Sequence, residues 1–313
     1  MKKLSALLII LLSAAQLYAQ NATEFPAQNA AQLPAQQKSD VEIGFSGIVK
    51  WDAANINVQV SVDLAKAGVK LPAGRTYGES LLRDAYLNKT RPFLLSLQYD
   101  SSSVLGDLVD KGELTLAQID TYMLNAVSKA PSLSPDMRHI ISSHTISLFR
   151  ISSSLMRHTR PSPITRILNP VSTTQYTGIV IIAADELPVY GMKSKTIVVP
   201  CLFPKIWDSE MNLIYERNML EISNTAMVTY SIADNIFKRD NPSGLSKELQ
   251  EVVGDKPLRI FASGVFGSKP TDIIIDRNDA ITIISSEENR RLLSQGRVVF
   301  ILDNAVLESK ITE

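Results

Sequence analysis

The chain of 313 residues contains one cysteine, Cys201, so no internal disulfide can form and stability has to come from the core. Cys201 lies inside an apolar run and reads as a small buried hydrophobe rather than a reactive thiol. Charge of one sign is also lacking, with 32 Lys plus Arg against 32 Asp plus Glu. Setting aside Lys2 and Lys3 leaves 30 basic residues (32 − 2) against 32 acidic ones. That balance supplies no broad basic field and argues against general nucleic-acid binding.

Catalytic signatures are missing as well. The chain has no G-x-S-x-G, no phosphate-cradling G-x-x-x-x-G-K-[ST], no G-x-G-x-x-G and no H-E-x-x-H. Its histidines, His139, His144 and His158, do not fall at a metal-site spacing such as i, i+4. Asp185 and Glu186 are adjacent at a strand end, where side chains point apart, so they read as a solvated turn rather than an acid/base pair. The serine runs 101–103 and 152–154 have no base at motif spacing. Gly264 and Gly267 read as turn residues. The sequence therefore calls for no catalytic residue, no cofactor and no metal, and the expected class is non-enzymatic.

What is present starts with an export signal. Lys2 and Lys3, the apolar Leu4–Ala15 run and Leu17-Tyr18-Ala19 form a leader over 1–19, cleaved near its end. The run is shorter than the ~20 residues of a membrane span, so the mature chain is expected to have no integral span; an uncleaved anchor is the alternative. Residues 20–40, rich in Gln, Ala and Asn, read as a flexible linker.

The fold class is α+β, with an N-terminal hairpin and helices and a C-terminal mixed sheet with helices packed on it. A helix-rich part spans 41–165, a C-terminal module 171–305, and the prolines at 161, 163 and 170 mark the boundary. Alternation over 42–51 and 56–63 predicts the hairpin. Helices are expected over 77–88, 114–129 and, as the clearest, 134–158. In the last, Met137, Ile140, Ile141, His144, Leu148, Ile151 and Leu155 recur at three- and four-residue spacing behind Ser134 and Pro135. His144 reads there as a packed, hydrogen-bonded histidine. The run 178–184 is a buried strand. A further helix is expected over 225–239, and a short one over 246–253, closed by Gly254. Strands follow over 258–266, 271–275 and 297–303. Asp276 N-caps a helix, and Ser285-x-x-Glu288 opens another that Gly296 closes.

Few residues invite a binding role. Trp207, Tyr215 and Trp51 are candidates to line a groove, since aromatics carry much interface energy, with core packing as the other reading. Arg290 and Arg291, with Arg297, form a basic cluster that reads as complement to a helix C-terminus, with an anionic ligand as the alternative.

Two stretches carry a resemblance. Tyr176-Thr-Gly-Ile-Val-Ile-Ile-Ala183 is followed by Pro200-x-x-x-Pro204-Lys-Ile-Trp-Asp208 and Ile214-Tyr215; Asp272-Ile-Ile-Ile-Asp-x-x-Asp279-Ala280 runs on to Leu293 and Gly296-Arg-Val-Val-Phe-Ile301. Together they resemble a C-terminal module of exported bacterial envelope proteins, flagellum-associated lipoproteins of the FlgP type among them. Uncharacterised spirochaete periplasmic proteins look closer over the whole length. The chain departs from the FlgP-like pattern in lacking a lipobox Cys and in its large N-terminal half. The resemblance implies an exported, periplasmic or outer-membrane-associated protein, acting by contact with envelope or flagellar proteins in assembly, and it supplies no catalytic residues. Two other readings stand beside it: a binding module for a glycan or lipid, in which Trp207 and the arginines share a concave pocket, and a hydrolase with a dispersed site, in which a Ser or Asp lies in reach of a His.

Overall fold

The computed structural model describes residues 42–221, 226–239 and 241–311. The leader 1–19 and linker 20–40 lie outside the described residues. Residues 41–313 form one compact unit.

The first half is built on an antiparallel sheet. Strands β1 (Ile43–Lys50) and β2 (Asn55–Asp63) form the expected hairpin around a four-residue turn. Ile56, Val58, Val60 and Val62 bury one face completely. Helices α1 (Arg75–Leu95), α2 (Leu105–Asp110) and α3 (Leu116–Leu124) follow. Thr115 caps α3 in a reciprocal box with Gln118, and that helix ends at Asn125, short of the expected 129. Two-residue strands β3 (Val127–Ser128) and β4 (Ser132–Leu133) then pair with β5 (His139–Ser147). Leu82, Ala85, Tyr86 and Phe93 of α1 join the buried cluster formed by the apolar face of the sheet.

Strand β5 corrects the sequence reading. The single helix expected over 134–158 is a turn, a nine-residue strand paired with β2 along its length, and only then helix α4 (Leu148–Leu155). Within 139–147 the β-branched residues Ile140, Ile141, Thr145 and Ile146 favour the extended chain, and Ile140, Ser142 and Ile146 bury one face at period two. The three- and four-residue spacing holds only for Leu148, Ile151 and Leu155, which are the buried positions of α4 beside Ser152.

The second half carries a seven-stranded mixed sheet. Its strands are β6 (Ile179–Ala183), β9 (Ile206–Asp208), β10 (Leu213–Tyr215), β11 (Thr229–Ser231), β12 (Leu258–Phe266), β13 (Asp272–Ile275) and β14 (Val298–Leu302). The order is β10-β9-β13-β12-β6-β14-β11, while β7 (Leu187–Pro188) and β8 (Lys195–Thr196) make a separate small hairpin. The centre is parallel, with Ile181 of β6 level with Ile260 of β12 and Phe300 of β14. Strands buried on both faces read as continuous apolar runs, and β6 and β14 do. The residues expected as helix 225–239 instead hold β11 and one 3-10 turn, Ala233–Ile236, because Tyr230 and Ser231 pair with β14.

Helix α5 (Lys247–Val253) joins one face of this sheet through Leu249, Val253, Val180, Val299 and Ile301. Helices α6 (Arg277–Ser285) and α7 (Glu287–Ser294) contribute Ile283, Ile284, Leu292 and Leu293 to the main core. Asp276 caps α6 as expected, whereas the cap of α7 is Ser286, one residue beyond the expected Ser285. After β14, a short helix α8 (Asn304–Leu307) turns the chain so that β15 (Glu308–Ile311) pairs with β1. The final strand thus closes the edge of the first sheet, and one contiguous core runs through both halves. Among the described residues no helix is long and apolar enough to cross a membrane.

Gly178, just before β6, lies hard against the last residue of α5, Val253. A Cβ there would stand 2.4 Å from both the Cα and the Cβ of Val253. Gly178→Ala is expected to lower unfolding free energy by about 2–3 kcal/mol, because backbone rather than a flexible tip would have to move. Urea unfolding of the variant checks this; a midpoint equal to wild type would contradict the packing described.

Candidate functional site

The loop 97–104, between α1 and α2, leaves the first half and docks on the second. Leu202 N and Phe203 N donate to the carbonyls of Gln98 and Tyr99 at 3.1 and 2.9 Å, and Lys269 N donates to the Ser101 carbonyl at 3.0 Å. Tyr99 meets Phe203 edge-on at 5.2 Å, and the Arg217 guanidinium lies 5.3 Å from the Tyr99 ring. Asp100 holds the loop in shape by accepting from the backbone and hydroxyls of both Ser102 and Ser103. Burial pushes its carboxyl up, but these hydrogen bonds outweigh that and leave it below its ordinary value.

At the centre of this contact sits Asp272, the first residue of β13 and 1% exposed. Its Oδ2 accepts from Ser101 Oγ at 3.0 Å and from Trp207 Nε1 at 3.2 Å. Its Oδ1 accepts from Lys205 N at 3.1 Å and Thr271 Oγ1 at 3.3 Å. Burial raises its pKa, and the hydrogen bonds from Lys205 N, Trp207 and Ser101, with the charge of Lys205, pull it back only in part. Gly267 belongs to the same contact. Its φ of +114° and the 2.4 Å that would separate a Cβ from Ser101 Cβ leave room only for glycine. The sequence reading of Gly267 as a turn residue missed that second role.

Asp272 also fixes the one candidate aromatic that reaches the surface. Trp207, half-buried on β9, is held by its indole N–H and meets Phe266 edge-on at 5.9 Å. Phe266 in turn meets Tyr190 at 6.0 Å. Tyr190, 51% exposed, and Met192, 68% exposed, form the tip of the β7–β8 hairpin. A hydrogen bond from Tyr190 N to the Val265 carbonyl at 2.9 Å fastens that tip to β12. The result is an aromatic strip, Trp207–Phe266–Tyr190, open at one end and anchored on a buried carboxylate at the other. Lys205 Nζ lies 6.0 Å from the Trp207 ring centre, and Lys193 and Lys195 are exposed on the hairpin. Tyr190, Met192 and Phe266 were not singled out in the sequence; apolar residues on either side of Gly191 between two short strands were the available signal.

The other sequence candidates lie elsewhere. Tyr215 is fully buried and donates to the Met227 carbonyl at 3.1 Å. Trp51, also buried, packs edge-on against Tyr230 at 5.8 Å. Arg290 donates to the carbonyl of Ile284 in the last turn of α6, the helix-terminus role. Arg291 is exposed and, with Arg290 and Arg166, lines an open groove of about 210 Å³ that also holds Glu221 and Glu287. Trp207 is not among the residues lining it. Arg297 donates to the Val252 carbonyl at 3.1 Å.

One histidine does have a serine in reach. His144 is packed and hydrogen-bonded, with Nδ1 2.7 Å from Ser128 Oγ and Nε2 3.1 Å from Ser142 Oγ. Ser128 is its partner across the β3–β5 ladder, and the ring stacks on Tyr86 at 3.7 Å, so cross-strand pairing accounts for the contact. Burial lowers the His144 pKa, and a hydroxyl stands where a triad has its orienting carboxylate. The pair therefore reads as packing.

The Asp272 arrangement makes a sharp expectation. Every group facing its two oxygens donates or can donate, so the amide of an Asn would set N–H against N–H at Lys205 or Trp207. Asp272→Asn should lower stability by about 2–4 kcal/mol. The raised pKa means the folded state binds this proton more tightly than the unfolded one. The contribution of Asp272 is thus greatest below the ordinary carboxylate range and falls as pH rises through its folded value. Carboxyl NMR titration should find Asp272 above and Asp100 below their ordinary values; the reverse order would refute the assignment.

Residues 42–154 match the family model described as Treponema pallidum Tp0624, N-terminal domain. Residues 178–304 match the model described as Treponema pallidum Tp0624, second domain. The chain is thus similar, in two successive regions, to domains of a spirochaete protein, which agrees with the spirochaete part of the resemblance in the sequence. A FlgP-type module is not among the matches. No curated protein matches the chain.

Proposed function

We propose, from the two matches to spirochaete protein domains and the anchored aromatic strip, that this is an exported, non-enzymatic protein of the cell envelope. It acts by protein–protein contact in envelope or motility-apparatus assembly. The observation that carries the reading is the hairpin tip with its base. Tyr190 and Met192 stand in solvent beside Phe266 and a Trp207 whose indole is fixed by Asp272. Interfaces are enriched in Tyr, Trp and Met, and rigid aromatics lose little entropy on docking. Lys193, Lys195 and Lys205 around the strip favour a partner with carboxylates around an apolar centre. The leader in the sequence supports export, and the reading puts the protein in the periplasm or at the outer membrane.

A photo-crosslinking residue at position 190, in intact cells, is expected to capture one envelope or flagellar protein repeatedly. Replacing Tyr190 and Met192 together with Ala should weaken that complex about tenfold or more, with thermal stability nearly unchanged because both are exposed. No recovered partner, or a complex indifferent to the double substitution, would overturn the reading.

A further inference from the structure

Among the described residues, most serine and threonine hydroxyls bond within the chain: Ser147, Ser246 and Ser286 cap helices, and Ser101 binds Asp272. The outer face of the first sheet differs. Across β1, β2 and β5 the ladder sets Ser46, Gln59 and Ser143 in one row and Ile48, Asn57 and Thr145 in the next. With Val127 and Lys129 at the side they line a concavity of about 330 Å³. The side chains of Ser46, Gln59, Ser143 and Lys129 have no hydrogen-bond or ion-pair partner among the described residues. Thr145 Oγ1 donates to Asn57 Oδ1 at 3.1 Å, and the Asn57 NH₂ has no hydrogen-bond partner among the described residues.

A solvated sheet face is expected to be polar. This one is polar in a particular way, for the concavity is lined by no carboxylate, by one cation, Lys129, and by the imidazole of His144, whose pKa burial lowers. Side chains two apart on a strand stand about 6.8 Å from each other and strands about 4.8 Å apart, so the rows form a regular grid of neutral donors and acceptors. Such a grid matches a ligand that repeats hydroxyl groups along its length and carries no charge. Ile48 adds an apolar spot against which the C–H face of a sugar ring can rest. We propose that the outer face of the first sheet binds a neutral glycan chain. The proposal goes beyond the protein contact at the aromatic strip and uses none of its residues.

The test follows the side-chain amide NMR signals of Asn57 and Gln59 while the protein is titrated with cellohexaose and, separately, chitohexaose, each to about 10 mM, the range of a weak site. At least one oligosaccharide is expected to shift both signals. Gln59→Ala combined with Ser143→Ala should weaken that binding about tenfold, as two lost hydrogen bonds imply. Tyr190→Ala should leave it unchanged. The proposal is overturned if neither oligosaccharide moves the signals, if the double variant binds as wild type, or if a sulfated heparin hexasaccharide alone binds. The last result would assign the face to the charge of Lys129.

Discussion

A carboxylate without water has to be satisfied by the protein, and Asp272 is satisfied from three separate segments. Ser101 comes from the first half, Trp207 from β9 and Lys205 from the residue before it, and Thr271 from the residue preceding Asp272. Moving any one of them leaves charge buried and under-bonded, which is far more costly than losing a surface contact. That constraint fixes the loop 97–104 against the second half and tethers the indole N–H of Trp207. The aromatic strip inherits its rigidity from the same four hydrogen bonds.

Around this point the two regions that match separate domain models behave as one physical body. Strand β15, beyond the second match, pairs with β1 inside the first. Trp51 N donates to the Leu307 carbonyl at 3.0 Å, and its ring begins an edge-on series through Tyr230 to Phe300 in the middle of the second sheet. Tyr230 also donates to the Cys201 carbonyl at 2.8 Å, which places the only cysteine inside this buried contact; burial pushes its thiol pKa far up. An interface of this kind, apolar at its centre and hydrogen-bonded through backbone groups, joins the halves rather than hinging them.

Much of the second half was legible in the sequence because its signals were local. The continuous apolar runs of β6 and β14, the cap at Asp276, and the glycines ending α5 and α7 each state their own role. The hairpin at the start was equally plain from its alternation. Segment 134–158 was not legible, because a strand and a helix in succession share an apolar pattern whose joint spacing mimics one long helix. What decided it was the pairing of β5 with β2, a contact some eighty residues away. The site shows the same division. Trp207 could be singled out as an aromatic, but Asp272 sits at the head of an isoleucine run as an ordinary strand residue. Only its meeting with Ser101, 171 residues distant, gives it meaning.

Native-state hydrogen exchange tests most directly whether the Asp272 contact welds the two halves. The amides of Leu202, Phe203 and Lys269, which bond to the loop carbonyls, are the reporters. Opening free energies for these three within about 1 kcal/mol of those in β6 and β14 would show that the contact breaks only when the whole molecule unfolds. Values several kcal/mol lower, with the sheet amides still protected, would show two halves that part while folded and would contradict this account.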